Sequence, residues 1–302
     1  MDINLIGVPL FYGCDRHGVE NGPNVLRQNG MVELFEKQGH KVFDFGNLYI
    51  KEETEFNKFE ADTTMKYLSH IIETNENLAE SVHAAQQAGA LPLVVGGDHA
   101  LGFGTVAGSA KSFGEDYGVI WVDAHGDINT EASSPSGNTH GMPLGASMGY
   151  GTQSVKDIYF EGVKVKPSNV ILIAQRDLDE GEVELIKDQN IKMWDGPSIR
   201  TRGIEITVKE VLAAIEKSGI NNFHLSFDID AMDSLLVPGT GTPVSEGTTV
   251  EETKYLLESL IATGKIKGFD FAEFNPGLED EITTKNCLEV LDTISKAFAE
   301  VK

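Results

Sequence analysis

The sequence predicts an α/β protein: a single domain over residues 1–302, with a three-layer α/β/α arrangement around a mostly parallel eight-stranded sheet. Three observations carry this. Short β-rich apolar runs alternate with helical patterns along the whole chain. Some of those runs, such as 170–174, are apolar almost throughout, as a strand covered on both faces must be. No change of composition or Pro/Gly-rich linker divides the chain, and no internal repeat is visible.

The strand candidates are 3–9, 41–45, 91–95, 119–123, 169–174, 191–194, 222–228 and 266–271. Between them, Val208, Val211, Leu212 and Ile215 recur at helical spacing, and Leu256, Leu257, Leu260 and Ile261 fall on one helix face. Gly219 and Gly264 follow as helix stops. Two stretches are irregular: 46–64 is polar and acidic, and 129–151 is rich in Gly, Ser and Pro. Regular patterns resume on both sides of each.

Composition narrows the function. With 40% hydrophobic residues, 15 Phe, 7 Tyr and 2 Trp, the chain has enough apolar surface for a sizeable core, which excludes disorder. Lys+Arg 24 against Asp+Glu 47 leaves a formal charge of −23, a field that repels phosphate backbones and anionic lipid, so nucleic acid and membrane are not expected partners. Cys14 and Cys287 form no metal-binding or redox motif, and two isolated thiols fit a reducing cytoplasm. The N-terminus lacks a signal-peptide pattern and no apolar run reaches the ~18 residues of a membrane span. A soluble, cytoplasmic protein is expected.

The chemistry-bearing residues end three predicted strands, where open α/β sheets place their ligand sites. Gly96-Gly97-Asp98-His99 follows the first, Asp123-Ala124-His125-Gly126-Asp127 the second and Asp228-Ile229-Asp230 the third. In extended chain, Asp123, His125 and Asp127 would project to one side, and so would Asp228 and Asp230. Any one of these motifs alone is ordinary turn chemistry. Together they gather four carboxylates and two imidazoles, His99 and His125, enough for two divalent ions sharing bridging carboxylates; without cations the carboxylates would repel one another. The oxygen-rich set suits a hard ion such as Mn²⁺, with Zn²⁺ or Co²⁺ as competitors. Gly102, Gly104 and Gly108 have the wrong spacing for a dinucleotide loop, and no P-loop is present. His224 lies too far below its strand end to be a ligand and is expected to be buried and hydrogen-bonded. His17, His40, His70 and His83 are expected on the surface or in loops.

At these motifs the sequence resembles the ureohydrolase family, and within it the bacterial arginases. The resemblance rests on Gly-Gly-Asp-His at 96–99, Asp-Ala-His-Gly-Asp-Ile-Asn at 123–129, Ser-Gly-Asn-Thr-His-Gly at 136–141 and Ser-Phe-Asp-Ile-Asp-Ala-Met-Asp at 226–233. It extends to Gly7-Val8-Pro9, to 16–23 and to Glu273-Phe274-Asn275-Pro276, essentially the whole chain. It implies hydrolysis of L-arginine to L-ornithine and urea by a hydroxide bridging two Mn²⁺ ions. One ion would be held by His99, Asp123, Asp127 and Asp228, the other by His125, Asp123, Asp228 and Asp230. Asp127 would hand a proton to the leaving amine, His140 would shuttle protons or position substrate, and Glu273 would pair with the guanidinium. Asn129, Ser136 and Asn138 would grip the substrate's α-carboxylate and Asp179 its α-amino group, with Thr242 in the same pocket. A homo-oligomer, trimer or hexamer, is implied.

The polar loop at 129–138 favours arginine over agmatine, which has no carboxylate. The alternatives are another ureohydrolase, acting on agmatine, guanidinobutyrate or formimidoylglutamate, and a non-catalytic metal-binding regulator on the same fold. Three positions depart from the family pattern: Gly126 stands where animal enzymes have Thr, Ser234-Leu235-Leu236 follows Asp233 where Asp-Pro is common, and Glu246 interrupts a usual Gly pair. None removes a ligand.

Overall fold

The computed structural model describes residues 1–279 and 281–301. Eight strands form one sheet: β1 Asp2–Val8, β2 Lys41–Asn47, β3 Leu91–Gly96, β4 Gly118–Val122, β5 Val170–Ile173, β6 Lys192–Trp194, β7 Phe223–Asp228 and β8 Ile266–Ala272. Their order is β2-β1-β3-β8-β7-β4-β5-β6 and every pairing is parallel. All eight predicted strands are present, and the sheet is wholly parallel.

Burial explains which strands are central. β3, β4, β5 and β7 are buried at every position, so their apolar runs face helices on both sides. The edge strand β2 is largely exposed. On one face of the sheet, the helices Ile204–Ser218, Val250–Ile261 and Glu281–Glu300 bury Val211, Leu257, Val290 and Ile294 against Leu225, Phe227 and Phe271. On the other, the helix Leu68–Gln87 buries Ile71, Leu78 and Val82 with Val8 and Val94. The i, i+3, i+4 spacing of these residues is what turns one stripe of each helix inward.

The helix ends follow local chemistry. At Val250–Ile261, Thr249 Oγ1 accepts from the Glu252 N–H at 3.2 Å while Glu252 Oε2 accepts from the Thr249 N–H at 2.8 Å, a reciprocal capping box. Ile204–Ser218 stops at Gly219, which has φ +73°. No helix among the described residues is long and apolar enough to cross a membrane.

Strand order places the site. β3, β8, β7 and β4 are adjacent, and register sets Val95 beside Phe271, Asp228 beside Ala272 and Val122 beside Phe227. Their C-terminal ends therefore deliver His99, Glu273, Asp228 and Asp123 to one region. The irregular stretch 129–151 contributes to its walls, and the chain just after 46–64 is tied to it. Lys66 N–H donates to Gly137 O at 3.0 Å, and Tyr67 N–H donates to Lys58 O at 2.7 Å.

Gly97 is where β3 leaves the sheet, and no other residue fits there. A Cβ would lie 2.3 Å from Leu10 O and 2.6 Å from Val8 O, both backbone atoms that cannot swing aside. Its N–H donates to Val8 O at 3.0 Å and its carbonyl accepts from Glu273 N–H at 2.9 Å. Gly97→Ala is expected to lower unfolding free energy by about 1–3 kcal/mol, the usual effect of overpacking. Equilibrium urea denaturation should show a lower midpoint at unchanged slope; an unshifted midpoint would contradict this account of the turn.

Candidate active site

The six predicted ligands converge, but not by strand alternation. β4 ends at Val122, and Asp127 has φ +52°, so 123–127 is a curled loop rather than an extended comb. Asp228 opens a single 3₁₀ turn, Ile229–Ala231, with its Oδ1 accepting from the Asp230 N–H at 2.8 Å. Loop curvature, aspartate's tolerance of the left-handed region and this turn do the gathering.

His99 Nδ1 lies 2.9 Å from Asp123 Oδ2, 3.0 Å from Asp127 Oδ2 and 3.2 Å from Asp228 Oδ2. His125 Nδ1 lies 3.4 Å from Asp123 Oδ1 and 3.1 Å from Asp230 Oδ2. Asp123 thus turns one oxygen to each cluster. Ligand atoms of His99, Asp123 and Asp127 lie within 4.8 Å of one another, as do those of Asp123, His125 and Asp230.

Hydrogen bonding shows what these atoms await. The Ser226 hydroxyl donates to Asp270 Oδ2 at 3.2 Å, which leaves its oxygen to accept from His99 Nε2–H at 2.8 Å. That leaves Nδ1 as the nitrogen facing three carboxylates and the one that would coordinate a cation. His99 Nδ1 and Asp127 Oδ2 are accordingly buried polar atoms without an aligned hydrogen-bond partner, an arrangement that costs free energy unless a cation completes it. Trp121 stacks on the imidazole at 4.2 Å and donates to Asp123 Oδ2 at 3.0 Å, fixing both ligands from below.

Charge tells the same story. Burial and Asp123 push the Asp127 carboxyl up to about 6, and burial with Asp230 and Asp123 raises Asp228 well above the ordinary range. Asp123 goes the other way: burial raises it, but His125 and His99 together hold it far below the usual carboxylate value. Both imidazoles are raised, because the carboxylates outweigh burial. Groups displaced in opposite directions over such distances must share protons or cations, and the hard oxygen-and-imidazole set fits divalent ions.

Above the clusters opens a cavity of about 140 Å³, small-molecule in scale. Asn129, Ser136, Asn138, Asp179, Thr242, His140 and Asp127 all line it. Glu273 lies beneath, its Oε1 accepting from His140 Nδ1 at 3.0 Å and from the His99 N–H at 2.8 Å. His140 is raised because Glu273 outweighs burial. Asn129 Nδ2 donates to Asp179 Oδ2 at 2.8 Å, and Thr242 Oγ1 donates to Asp230 Oδ2 at 3.1 Å. The predicted substrate residues thus border the same cavity as the ligand clusters.

Several participants escaped sequence reading. Ser226 and Asp270 face each other across β7 and β8; the signal was a carboxylate inside the apolar run 266–271. Arg176 donates to the carbonyls of Asp230, Met232 and Val244, pinning the turn that carries Asp230. Glu182 reaches back to the Asp179 N–H at 3.0 Å and accepts from the Ile128 N–H at 3.1 Å, and burial pushes its carboxyl up to about 7. At the two departing loops, Asp233 accepts from the N–H groups of both Leu235 and Glu246, so one carboxylate ties them together.

Two histidine expectations need correction. His40 is buried, with Nε2 2.8 Å from Ser295 O, and His70 is buried beside the Tyr12 ring. Both occupy apolar contacts that no local pattern announces. His17 is exposed, and His224 is buried with Nε2 2.8 Å from Asp270 Oδ2.

Comparison with known proteins identifies the family and the fold. The family model described as "Arginase family" matches residues 1–295. An arginase from Brevibacillus brevis is 41% identical, covering 94% of this chain and 93% of its own. The solved arginase of Bacillus caldovelox superposes with TM-score 0.92 at 37% identity, covering 99% of this chain and 98% of that one. The Entamoeba histolytica arginase, solved in complex with L-ornithine, gives TM-score 0.89 at 30% identity over 97% of each chain. Fold, site and sequence together place the chain in the arginase family.

Proposed function

We propose that the protein is an arginase, hydrolysing L-arginine to L-ornithine and urea with two Mn²⁺ ions. The observation that carries this is a pair of imidazole–carboxylate clusters sharing Asp123 at the floor of a small acidic cavity. His99, Asp123, Asp127 and Asp228 would hold one ion, and His125, Asp123, Asp228 and Asp230 the other. Divalent cations bound there supply Lewis acidity and lower the pKa of water from ~15.7 toward ~7.

The chain's own groups do the rest. The cavity walls carry Asp127, Asp177, Asp179, Glu182 and Asp228, which draw in a cationic guanidino substrate. Asp179 takes the α-amino group, and Asn129, Ser136 and Asn138 take the α-carboxylate. Glu273, fixed by His140 and the His99 N–H, pairs with the guanidinium. The reaction adds water at the guanidinium carbon and breaks that carbon's bond to the side-chain nitrogen of ornithine. Asp127 carries a proton to that nitrogen. His140, with Nδ1 held by Glu273, keeps Nε2 for exchanging protons with the cavity. The same reading includes a cytoplasmic homo-oligomer, trimer or hexamer.

Metal-stripped protein re-supplied with Mn²⁺, Co²⁺ or Zn²⁺ and offered L-arginine beside agmatine tests the reading. Urea should come from arginine, best with Mn²⁺, and chelation should abolish it. Preference for agmatine would indicate another ureohydrolase, and ion uptake without hydrolysis of any guanidino compound a non-catalytic metal-binding protein. Asp127→Asn should lower kcat at least ~100-fold while metal analysis still finds bound Mn²⁺; full activity would contradict its assignment. His140→Asn should reduce kcat by roughly 10²–10⁴ at unchanged Mn²⁺ content, and an unaltered kcat would remove His140 from proton transfer.

A further inference from the structure

The cavity has an electrostatic imbalance. Its lining residues include five carboxylates and no Lys or Arg; with Asp127 and Asp228 taken up by bound cations, Asp177, Asp179 and Glu182 remain. Such walls favour a guanidino dication over a substrate that carries a carboxylate at its far end, because that carboxylate would enter a negative field. The chain's net charge of −23 deepens the field. A positive group beside the residues that take the α-carboxylate would offset that field locally.

Lys66 is placed to do so. Its Nζ donates to Asn138 Oδ1 at 2.7 Å and lies 3.0 Å from Asp15 Oδ2, while Lys58 Nζ lies 2.8 Å from the same Asp15 oxygen. Although burial raises the Asp15 carboxyl, the two ammonium groups outweigh it and hold it below its ordinary value. Two ammoniums on one carboxylate leave a surplus positive charge directly behind Asn138. The other end of the Asn138 amide is also fixed, since Nδ2 donates to Cys14 O at 3.1 Å. A flipped amide would turn NH₂ toward the ammonium and oxygen toward the carbonyl, losing both bonds. Lys66 therefore dictates that Nδ2, with a second hydrogen not used by Cys14, is the group Asn138 can offer a ligand.

The backbone holds this arrangement. Lys66 N–H donates to Gly137 O at 3.0 Å. Gly137 has φ +71°, and a Cβ on it would lie 2.4 Å from Thr64 O, so only glycine lets 136–138 lie against the segment that bears Lys66.

We propose that Lys66 is a specificity-determining positioning residue: by fixing the Asn138 amide and placing positive charge behind it, it lets an acidic cavity accept a guanidino substrate bearing a carboxylate. This rests on the arginase reading above. Lys58 shares Asp15 but does not bond Asn138, so it provides the control for a purely structural role of the ion-pair cluster.

The test uses the full-length Mn²⁺-loaded protein with Lys66→Gln, Lys66→Arg and Lys58→Gln variants. Each is assayed for kcat/KM with L-arginine and agmatine, and for inhibition by L-ornithine and putrescine, which differ by the carboxylate. Losing a charge-assisted hydrogen bond is worth about tenfold or more. Lys66→Gln should therefore lower the arginine-to-agmatine ratio, and the ornithine-to-putrescine affinity ratio, by about that factor, mainly through KM. Lys66→Arg should recover most of both ratios, and Lys58→Gln, which removes charge but no bond to Asn138, should shift them clearly less than Lys66→Gln. In an Asn138→Ala background, Lys66→Gln should move both ratios less than it does alone. If Lys66→Gln is not folded, Lys66→Met, which keeps the aliphatic stem, gives the same comparison. Equal losses for carboxylated and decarboxylated ligands, or an equal shift from Lys58→Gln, would overturn the proposal. Failure of the unaltered protein to release urea from arginine would instead overturn the arginase reading, before any variant is made.

Discussion

Everything at the centre of this molecule is arranged around the mutual repulsion of four buried carboxylates. Asp123, Asp127, Asp228 and Asp230 are excluded from solvent at the ends of neighbouring strands. At an effective dielectric of 20, like charges 4 Å apart repel by about 4 kcal/mol, a large fraction of a typical domain's net stability. The surrounding structure can be understood as what keeps these groups together. β4 and β7 are paired along their length, Trp121 and Ala124 N–H bond two of the carboxylates, and Arg176 braces the turn carrying Asp230.

Strain is concentrated in the same place. Asp127 has φ +52° and Glu273 has φ +67°, left-handed conformations that cost of order 1 kcal/mol or more for residues with side chains. Glu273 directly follows β8, and Asp127 lies in the curled loop that follows β4. The buried pair Ser226 and Asp270 adds to the load, because Asp270 Oδ1 has no hydrogen-bond partner among the described residues. In return, the His99 ring is fixed through Nε2 by Ser226, with Nδ1 turned to the ligand cluster. A protein selected for stability alone would fill this region with aliphatic side chains.

Much of this was legible in the sequence, and the boundary of legibility has physical causes. His99, Asp123 and Asp228 were readable because they end apolar runs, and a run's end is a local property. The left-handed turn at Asp127 was not readable, since aspartate occupies several conformations and only the packed loop selects one. His40 and His70 look like surface histidines because their partners, Ser295 and Tyr12, are 255 and 58 residues away. The bond from Lys66 to Asn138 joins two non-repetitive segments 72 residues apart. Contacts between loops obey no period, so neither side announces the other.

The strand order also bears on how the molecule comes to exist. β8, the last strand in the chain, is inserted between β3 and β7, which have no bond to each other without it. During synthesis, a nascent polypeptide halted before residue 266 lacks the sheet's middle, however complete its other seven strands. It also lacks Glu273, so His140 has no anchor. Native hydrogen bonding in the centre of the sheet is thus confined to chains whose translation is nearly finished, and until then Asp228 at the end of β7 stands beside an open seam.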